Sequence, residues 1–215
     1  MIILGSIVTL AIFLAVGWAV STEMFQHRQW RQRVESGDVG IVAALIQEAL
    51  GAWRRARPPR GLGANLWAGV QGAQLVAVTA TGATLSASAE GEFRTEDGRR
   101  VQVSSALDEA IALAAKLVDM MLYDVPNLRL GSVRVDVYST FTGSDGTAVQ
   151  QPILSTTAER GVADALSWEA LAPAEVLGRF ETRYERAASG QAVPVELQPV
   201  EGVAPEQFAA GQEPA

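Results

Sequence analysis

The first twenty residues, Met1–Val20, form an apolar run without a single charged side chain. A helix of that length matches the roughly 30 Å hydrocarbon core of a bilayer. We therefore predict a transmembrane helix over residues 1–22 and a juxtamembrane helix over residues 23–37. Trp18 lies near the end of the run, and it suits the membrane–water interface, where amphipathic rings collect.

A cleavable signal peptide is the main alternative for this segment. It would need a basic start, a short apolar core and a small-residue cleavage site. No Lys or Arg precedes the run, the run is longer than a signal core, and Gly17-Trp18-Ala19 matches a cleavage site poorly. An uncleaved anchor is therefore favoured.

The charges that flank the run predict its orientation. Arg28, Arg31 and Arg33 follow it, whereas no basic side chain precedes it. Because positive flanks stay in the cytoplasm, we predict a single-pass plasma-membrane protein with its N-terminus outside and its C-terminal domain cytoplasmic. The lipid bilayer is thus its first predicted partner.

Charge is unevenly distributed along the chain, whose formal net charge is -7. Residues 1–60 hold seven Arg against four acidic residues, a net +3, and residues 61–215 hold ten basic against twenty acidic residues, a net -10. An acidic body argues against a nucleic-acid partner, since phosphate backbones attract basic surfaces. The chain has no cysteine, which excludes disulfides, thiolate nucleophiles and cysteine-ligated metals.

Residues 38–188 are predicted to form one α+β domain. Asp38 is a plausible N-cap for a helix that Pro58 ends, and the pair Ser105 and Asp108 has the spacing of a capping box. The second of these helices is apolar on more than one side, so we expect it to be the central buried helix, ending at Pro126.

Five β-prone runs surround that helix, three before it and two after it. They are Gln71–Thr79, Ala83–Phe93, Arg99–Ser104, Ser132–Tyr138 and Thr147–Thr157. Turn-forming residues separate neighbouring runs, which predicts hairpins and an antiparallel sheet of about five strands packed against helices. Pro152 predicts an edge position or a bulge in the last strand.

The rest of the chain is predicted to be helical and then irregular. Gly61–Trp67 is predicted to be a connector, and Glu159–Leu166 and Ala174–Ala188 are predicted to be helices. Pro, Gly, Gln and Glu dominate from Ser189 onward, which predicts a flexible tail over residues 189–215.

Three carboxylates on predicted strands are the best candidates for chemistry. Glu90 and Glu92 lie two residues apart, and Asp136 lies within the cleanest alternating run. Paired carboxylates can support acid–base or metal chemistry, but no histidine or acid-x-Lys element accompanies these. We interpret them as a solvated strand face and assign no catalytic, cofactor-binding or metal-binding residue and no cofactor.

These patterns predict a non-catalytic, membrane-anchored accessory or scaffolding subunit with protein partners in a larger membrane-associated assembly. Two alternatives remain open. One is a small hydrolase or metal-dependent enzyme that uses the strand carboxylates, which would require them to converge. The other is a small-molecule or lipid-binding module, which would require a cavity of several hundred Å³ lined by polar groups. An exposed apolar patch would favour the scaffold.

Overall fold

The computed structural model describes residues 38–96, 98–143 and 145–209. The predicted transmembrane and juxtamembrane helices, with Trp18, Arg28, Arg31 and Arg33, lie outside the described residues. Within the described ranges, no helix has both the length and the apolar character required to cross a membrane.

Six helices and eight strands are formed by the described residues. The helices are α1 (Val39–Arg55), α2 (Ala64–Gly72), α3 (Ala106–Tyr123), α4 (Arg160–Ala163), α5 (Pro173–Leu177) and α6 (Glu206–Ala209). The strands are β1 (Gln74–Val78), β2 (Gly82–Ser88), β3 (Glu92–Glu96), β4 (Arg99–Ser104), β5 (Ser132–Thr142), β6 (Ala148–Glu159), β7 (Glu181–Arg186) and β8 (Ala192–Val193).

The main sheet has six strands in the order β1-β2-β5-β6-β7-β8, and β3 and β4 form a separate hairpin. The α+β class is therefore confirmed. The prediction of a wholly antiparallel sheet of about five strands is wrong, because β2 and β5 pair in parallel from Gly82 opposite Ser132 to Ser88 opposite Tyr138. The β3–β4 hairpin and α3 form the long crossover that a parallel pair requires.

Two local predictions are also wrong. The segment Ala174–Ala188 is not one helix, because α5 ends at Leu177 and β7 follows and pairs with β6. Its Ala, Glu and Arg residues favour a helix locally, but tertiary strand pairing outweighs that weak propensity. The predicted connector Gly61–Trp67 runs into helix α2, whose N-cap Gly63 offers no side-chain signal.

Both predicted helix starts are confirmed. Asp38 Oδ1 accepts hydrogen bonds from the backbone N–H groups of Gly40 (3.0 Å) and Ile41 (3.4 Å). The Ser105 hydroxyl accepts from the N–H of Asp108 at 3.1 Å, and the Asp108 carboxylate accepts from the N–H of Ser105, which completes the capping box. These contacts satisfy backbone donors that a helix leaves unpaired at its first turn.

The core lies between one face of the main sheet and helices α1, α2 and α3. Alternation along β5 directs Val133, Val135 and Val137 into this core, where all three are fully buried. Helix α3 supplies eleven buried side chains, among them Leu117, which confirms it as the central buried helix.

Pro152 is confirmed at a bulge rather than at the sheet edge. The register between β5 and β6 shifts where Val137 pairs with Leu154 but Tyr138 pairs with Pro152. Ile153 is the extra residue, and β6 has neighbours on both sides.

The C-terminal strap, Pro194–Val203, crosses the sheet on the side away from the core. The N–H of Val195 donates to the carbonyl of Pro152 on β6 at 2.9 Å. At the far edge, Val203 exchanges two backbone hydrogen bonds with Val78 of β1, at 2.8 and 3.0 Å. The strap and β8 thus both lie within the segment for which the sequence predicts a tail.

Candidate functional site

The sheet face opposite the core is polar, and strand register aligns its side chains in two rows. We call these eight side chains the polar face. One row is Thr84, Arg134, Thr157 and Glu181, and the next is Ser86, Asp136, Ser155 and Arg183. Each row runs across β2, β5, β6 and β7, so residues distant in sequence become direct neighbours.

Asp136 is buried at the centre of this face, with an exposed fraction of 3%. Its Oδ1 accepts hydrogen bonds from Arg134 Nε at 3.0 Å and from the Ser155 hydroxyl at 2.6 Å. The interpretation of Asp136 as part of a solvated strand face is therefore wrong. A buried carboxylate is tolerated here because a cation and a hydroxyl compensate for the lost hydration.

Arg134 connects this buried carboxylate to the C-terminal strap. Its Nη2 donates to the carbonyl of Gln198 at 2.9 Å, and its Nη1 donates to the carbonyl of Pro199 at 3.1 Å. The Arg134 side chain is 11% exposed. One guanidinium thus joins a sheet carboxylate to two consecutive strap carbonyls.

A cavity of about 380 Å³ lies between the polar face and the strap. Its floor includes Thr84, Arg134 and Thr157, and Glu181 contributes from β7. Gln198 and Glu201 line it from the strap side. The lining is mainly hydroxyl, carboxylate and guanidinium groups, which suits a small polar molecule better than an acyl chain.

The Ser155 hydroxyl does not have the surroundings of an activated nucleophile. It donates to Asp136, but the same carboxylate oxygen is already paired with the Arg134 guanidinium. The oxygen that would have to take the hydroxyl proton is thus already bound to a cation. Nucleophilic serine chemistry needs a base within hydrogen-bond reach that is free to accept that proton.

Tyr138 follows Asp136 on the same side of β5. Burial raises the pKa of the Tyr138 phenol above its ordinary value of 10.0, nearby Asp136 raises the pKa further, and Arg134 opposes the effect. The phenol is therefore protonated at neutral pH, so it can donate a hydrogen bond but cannot act as a base.

The three candidate carboxylates do not form one site. Glu90 follows β2, and its two oxygens accept from the N–H of Thr140 at 2.9 Å and the hydroxyl of Ser139 at 3.2 Å. Glu92 lies on β3, outside the main sheet, whereas Asp136 is bound to Arg134 and Ser155. Among the residues that the structure describes, no group of three or more acidic or histidine side chains could hold a metal ion.

The β3–β4 hairpin presents apolar side chains to solvent. Phe93 is 45% exposed, Val101 42% and Val103 49%. Phe93 pairs with Gln102, so alternation places Phe93 on one face of the hairpin and both valines on the other. The Arg100 guanidinium lies 4.0 Å from the centre of the Phe93 ring, on the same face.

Sequence reasoning identified Asp136 but not its partners. The Arg134-x-Asp136 spacing within an alternating strand is the signal that could have indicated a same-face ion pair. Ser155 and the strap carbonyls come from parts of the chain whose positions depend on strand order. That order could not be derived from local patterns.

No protein-family profile, curated protein or solved structure matches the chain. The polar face, the strap and the hairpin are therefore the features from which a function can be inferred.

Proposed function

We propose that this protein is a non-catalytic, membrane-anchored accessory or scaffolding subunit of a larger membrane-associated assembly, and that the β3–β4 hairpin contacts a protein partner. The observation that carries the proposal is the exposure of Phe93, Val101 and Val103 on a hairpin that pairs with no other described strand.

An isolated two-stranded hairpin is marginally stable, and a partner that buries its faces stabilises it. Clustered exposed apolar side chains are typical of interaction surfaces. Apolar side chains on both faces favour a partner that encloses the hairpin over one that only touches its side.

The anchor belongs to the same proposal: residues 1–22 hold the protein in the plasma membrane as a single pass, with the domain in the cytoplasm. A reporter that is active only in the cytoplasm, fused after Ala215, tests this topology. We expect activity in the native fusion and mixed insertion when Arg28, Arg31 and Arg33 are changed to Glu, since flanking positive charge sets orientation. Activity of a periplasm-specific reporter at the same point would refute it.

Site-specific photo-crosslinking tests the hairpin. A photoreactive residue at Val101 or Val103, in the full chain in its native membrane, should yield a discrete crosslinked product that mass spectrometry can identify. The matched control is Val162 on α4, which is 40% exposed but lies outside the hairpin.

A paired substitution then separates binding from folding. Val101→Ser combined with Val103→Ser should remove the crosslink formed by a photoreactive residue placed at Phe93, on the other face of the hairpin. The thermal unfolding of the domain should change little, because both valine side chains are exposed. Equal crosslinking from position 162 and from the hairpin, or a partner retained by the double variant, would contradict the proposal.

A second candidate function is small-molecule binding, which the polar cavity beneath the strap supports. Native mass spectrometry of the full chain, released from native membrane in mild detergent, should then show a bound small molecule. Thr157→Phe fills the cavity and should remove it, whereas Thr95→Phe on the distant hairpin should not. The enzyme alternative has no comparable support, since the strand carboxylates do not converge.

A further inference from the structure

The C-terminal strap is attached to the sheet at three separate points. They are the bond from Val195 to β6, the two bonds from Arg134 of β5, and the exchange between Val203 and Val78 at the β1 edge. Between these points the strap forms no helix or strand. Polar contacts rather than secondary structure therefore define its position.

The strap covers buried side chains of the sheet, but most of its own side chains are exposed. None of its side chains is fully buried, and Gln198, Pro199 and Glu201 are exposed. Beneath it, the side chains of Arg134 and Asp136 are only 11% and 4% exposed. Segments with few buried apolar contacts open at low free-energy cost. The strap is therefore the segment on this side of the sheet that detaches most easily.

Opening the strap would expose mainly polar groups of the sheet to water. The cavity under the strap is lined mainly by hydroxyl, carboxylate and guanidinium groups, which water can solvate, and Ala77 and Ala83 are its small apolar members. In contrast, detaching a segment from an apolar core face would expose hydrophobic side chains, which is strongly unfavourable. A polar floor thus lowers the cost of opening.

Gly202 shows how closely the strap fits in its closed position. The φ angle of Gly202 is +108°, and a Cβ at this position would lie 2.4 Å from the carbonyl oxygen of Val78. The backbone of β1 therefore leaves no room for a side chain here. Any other residue must displace this end of the strap.

We propose that the strap is a releasable cover of the polar face, with the Arg134 guanidinium as its latch. In the closed state Arg134 holds the carbonyls of Gln198 and Pro199. In the open state the two bonds are lost, Arg134 remains paired with Asp136, and the cavity loses the wall that Gln198, Pro199 and Glu201 form. This inference does not depend on the proposed scaffold function, because it concerns the opposite face of the sheet from the core and uses no hairpin residue.

Hydrogen exchange measured by mass spectrometry on the full chain in detergent micelles tests the cover. In the native protein, the hydrogen-bonded strap amides of Val195 and Val203 should exchange at least about tenfold faster than the amides of β5 and β6. Arg134→Met removes both charged donors, and we expect strap exchange to accelerate by about 10- to 100-fold. Arg129→Met is the control, since Arg129 is 81% exposed and its ion-pair partner is Asp164.

A second variant keeps the test valid if the loss of Arg134 unfolds the domain by leaving Asp136 unpaired. Gly202→Ala should accelerate exchange in the strap and leave β5 and β6 unchanged. Gly146→Ala is its matched control, because Gly146 also has a positive φ of 80° but a Cβ there would meet nothing within 4 Å.

Two results would overturn the proposal. One is strap exchange at the same rate as the sheet core in the native protein, which would mean that the strap opens only when the domain unfolds. The other is unchanged strap exchange in Gly202→Ala, which would mean that its docking at Val78 does not hold the closed state.

Discussion

Arg186, the last residue of β7, donates from Nη2 to Oδ1 of Asp108 in the first turn of α3 at a distance of 2.6 Å. Asp108 also completes the capping box with Ser105. A single carboxylate thus caps the central helix and joins it to a strand that follows 78 residues later in the chain. Both side chains are nearly half exposed, at 42% and 49%.

This pair predicts an acid-sensitive contribution to stability. The bond from Arg186, followed by that from Ser105, holds the pKa of Asp108 below its ordinary value of 3.8. A carboxyl whose pKa is lower in the folded state stabilises fully above the unfolded pKa, and that stability is lost as the pH falls through the folded pKa.

We therefore expect Arg186→Met to lower the free energy of unfolding by less than about 1 kcal/mol at pH 7, since the pair is solvent-screened. The difference from the native protein should shrink below about pH 3.8. Urea unfolding at a series of pH values measures this difference in the free energy of unfolding, and Arg183→Met on the same strand is the control. A difference that grew in acid would contradict the assignment.

Leu117 lies at the centre of α3 and has no exposed surface. Leu117→Ala should lower the free energy of unfolding by about 2–5 kcal/mol, because it removes apolar contacts and leaves a cavity. Chemical denaturation measures this loss. The neighbouring Lys116→Ala removes only an ion pair with Asp119, whose two side chains are 30% and 31% exposed, and we expect a change below about 1 kcal/mol. Similar losses in both variants would mean that α3 is not the core helix.

Asp136→Ala should destabilise the domain strongly. The substitution leaves the nearly buried Arg134 guanidinium without its carboxylate, and breaking a buried pair costs about 3–5 kcal/mol. Glu92→Gln, on the exposed hairpin, should stay within about 0.5 kcal/mol of the native protein. Denaturant midpoints of the two variants provide the comparison. A gain of stability in Asp136→Ala would instead indicate unrelieved carboxylate repulsion, as expected in a metal or acid–base cluster.

Arg160 closes the C-terminal end of α3 from a distant element. Its Nε donates to the carbonyl of Leu130 at 2.6 Å, and its Nη2 donates to the carbonyl of Leu122. Arg160→Met leaves both acceptors unsatisfied, so we expect a loss of about 1–3 kcal/mol per unpaired group. Arg129→Met, at an exposed position, should change the free energy of unfolding by less than about 0.5 kcal/mol. Equal thermal midpoints in the two variants would show that Arg160 is dispensable.

Local sequence patterns predicted the parts of this fold that local contacts stabilise. The capping box at Ser105, the N-cap at Asp38 and the alternation of Val133, Val135 and Val137 each involve residues within a few positions of one another. They were visible because the stabilising partner lies in the same short segment.

The missed features depend on partners far along the chain. Strand β7 has a polar, helix-favouring sequence and is extended because its backbone pairs with β6, where Thr182 and Thr156 also share a hydroxyl hydrogen bond of 2.7 Å. The parallel pairing of β2 with β5 likewise depends on the path of the crossover through β3, β4 and α3, which brings β5 beside β2. Turn-forming residues between successive strands predict only antiparallel pairing of those neighbours.

The candidate site shows the same difference between local contacts, which the sequence predicts, and distant contacts, which it does not. Asp136 stood out as an acid within an alternating strand, but its partner Arg134 is held by the carbonyls of a strap about sixty residues later. Backbone carbonyls carry no sequence signature. A segment rich in Pro, Gly and Glu is therefore read as a tail when its ordered contacts are made by main-chain atoms.

The parallel contact between β2 and β5 has a consequence for how quickly the domain folds. The β1–β2 and β5–β6 pairs each join strands that follow one another in the chain, whereas the central contact joins Gly82 to Ser132, fifty residues later. Bringing these two strands together restricts a long loop, and this conformational entropy is lost before the stabilising strand contact forms. Pairings between residues so far apart in the chain therefore slow folding. We therefore expect the β1–β2 and β5–β6 pairs to form early and independently, and their union across α3, which brings Thr84 beside Arg134 on the polar face, to limit the folding rate.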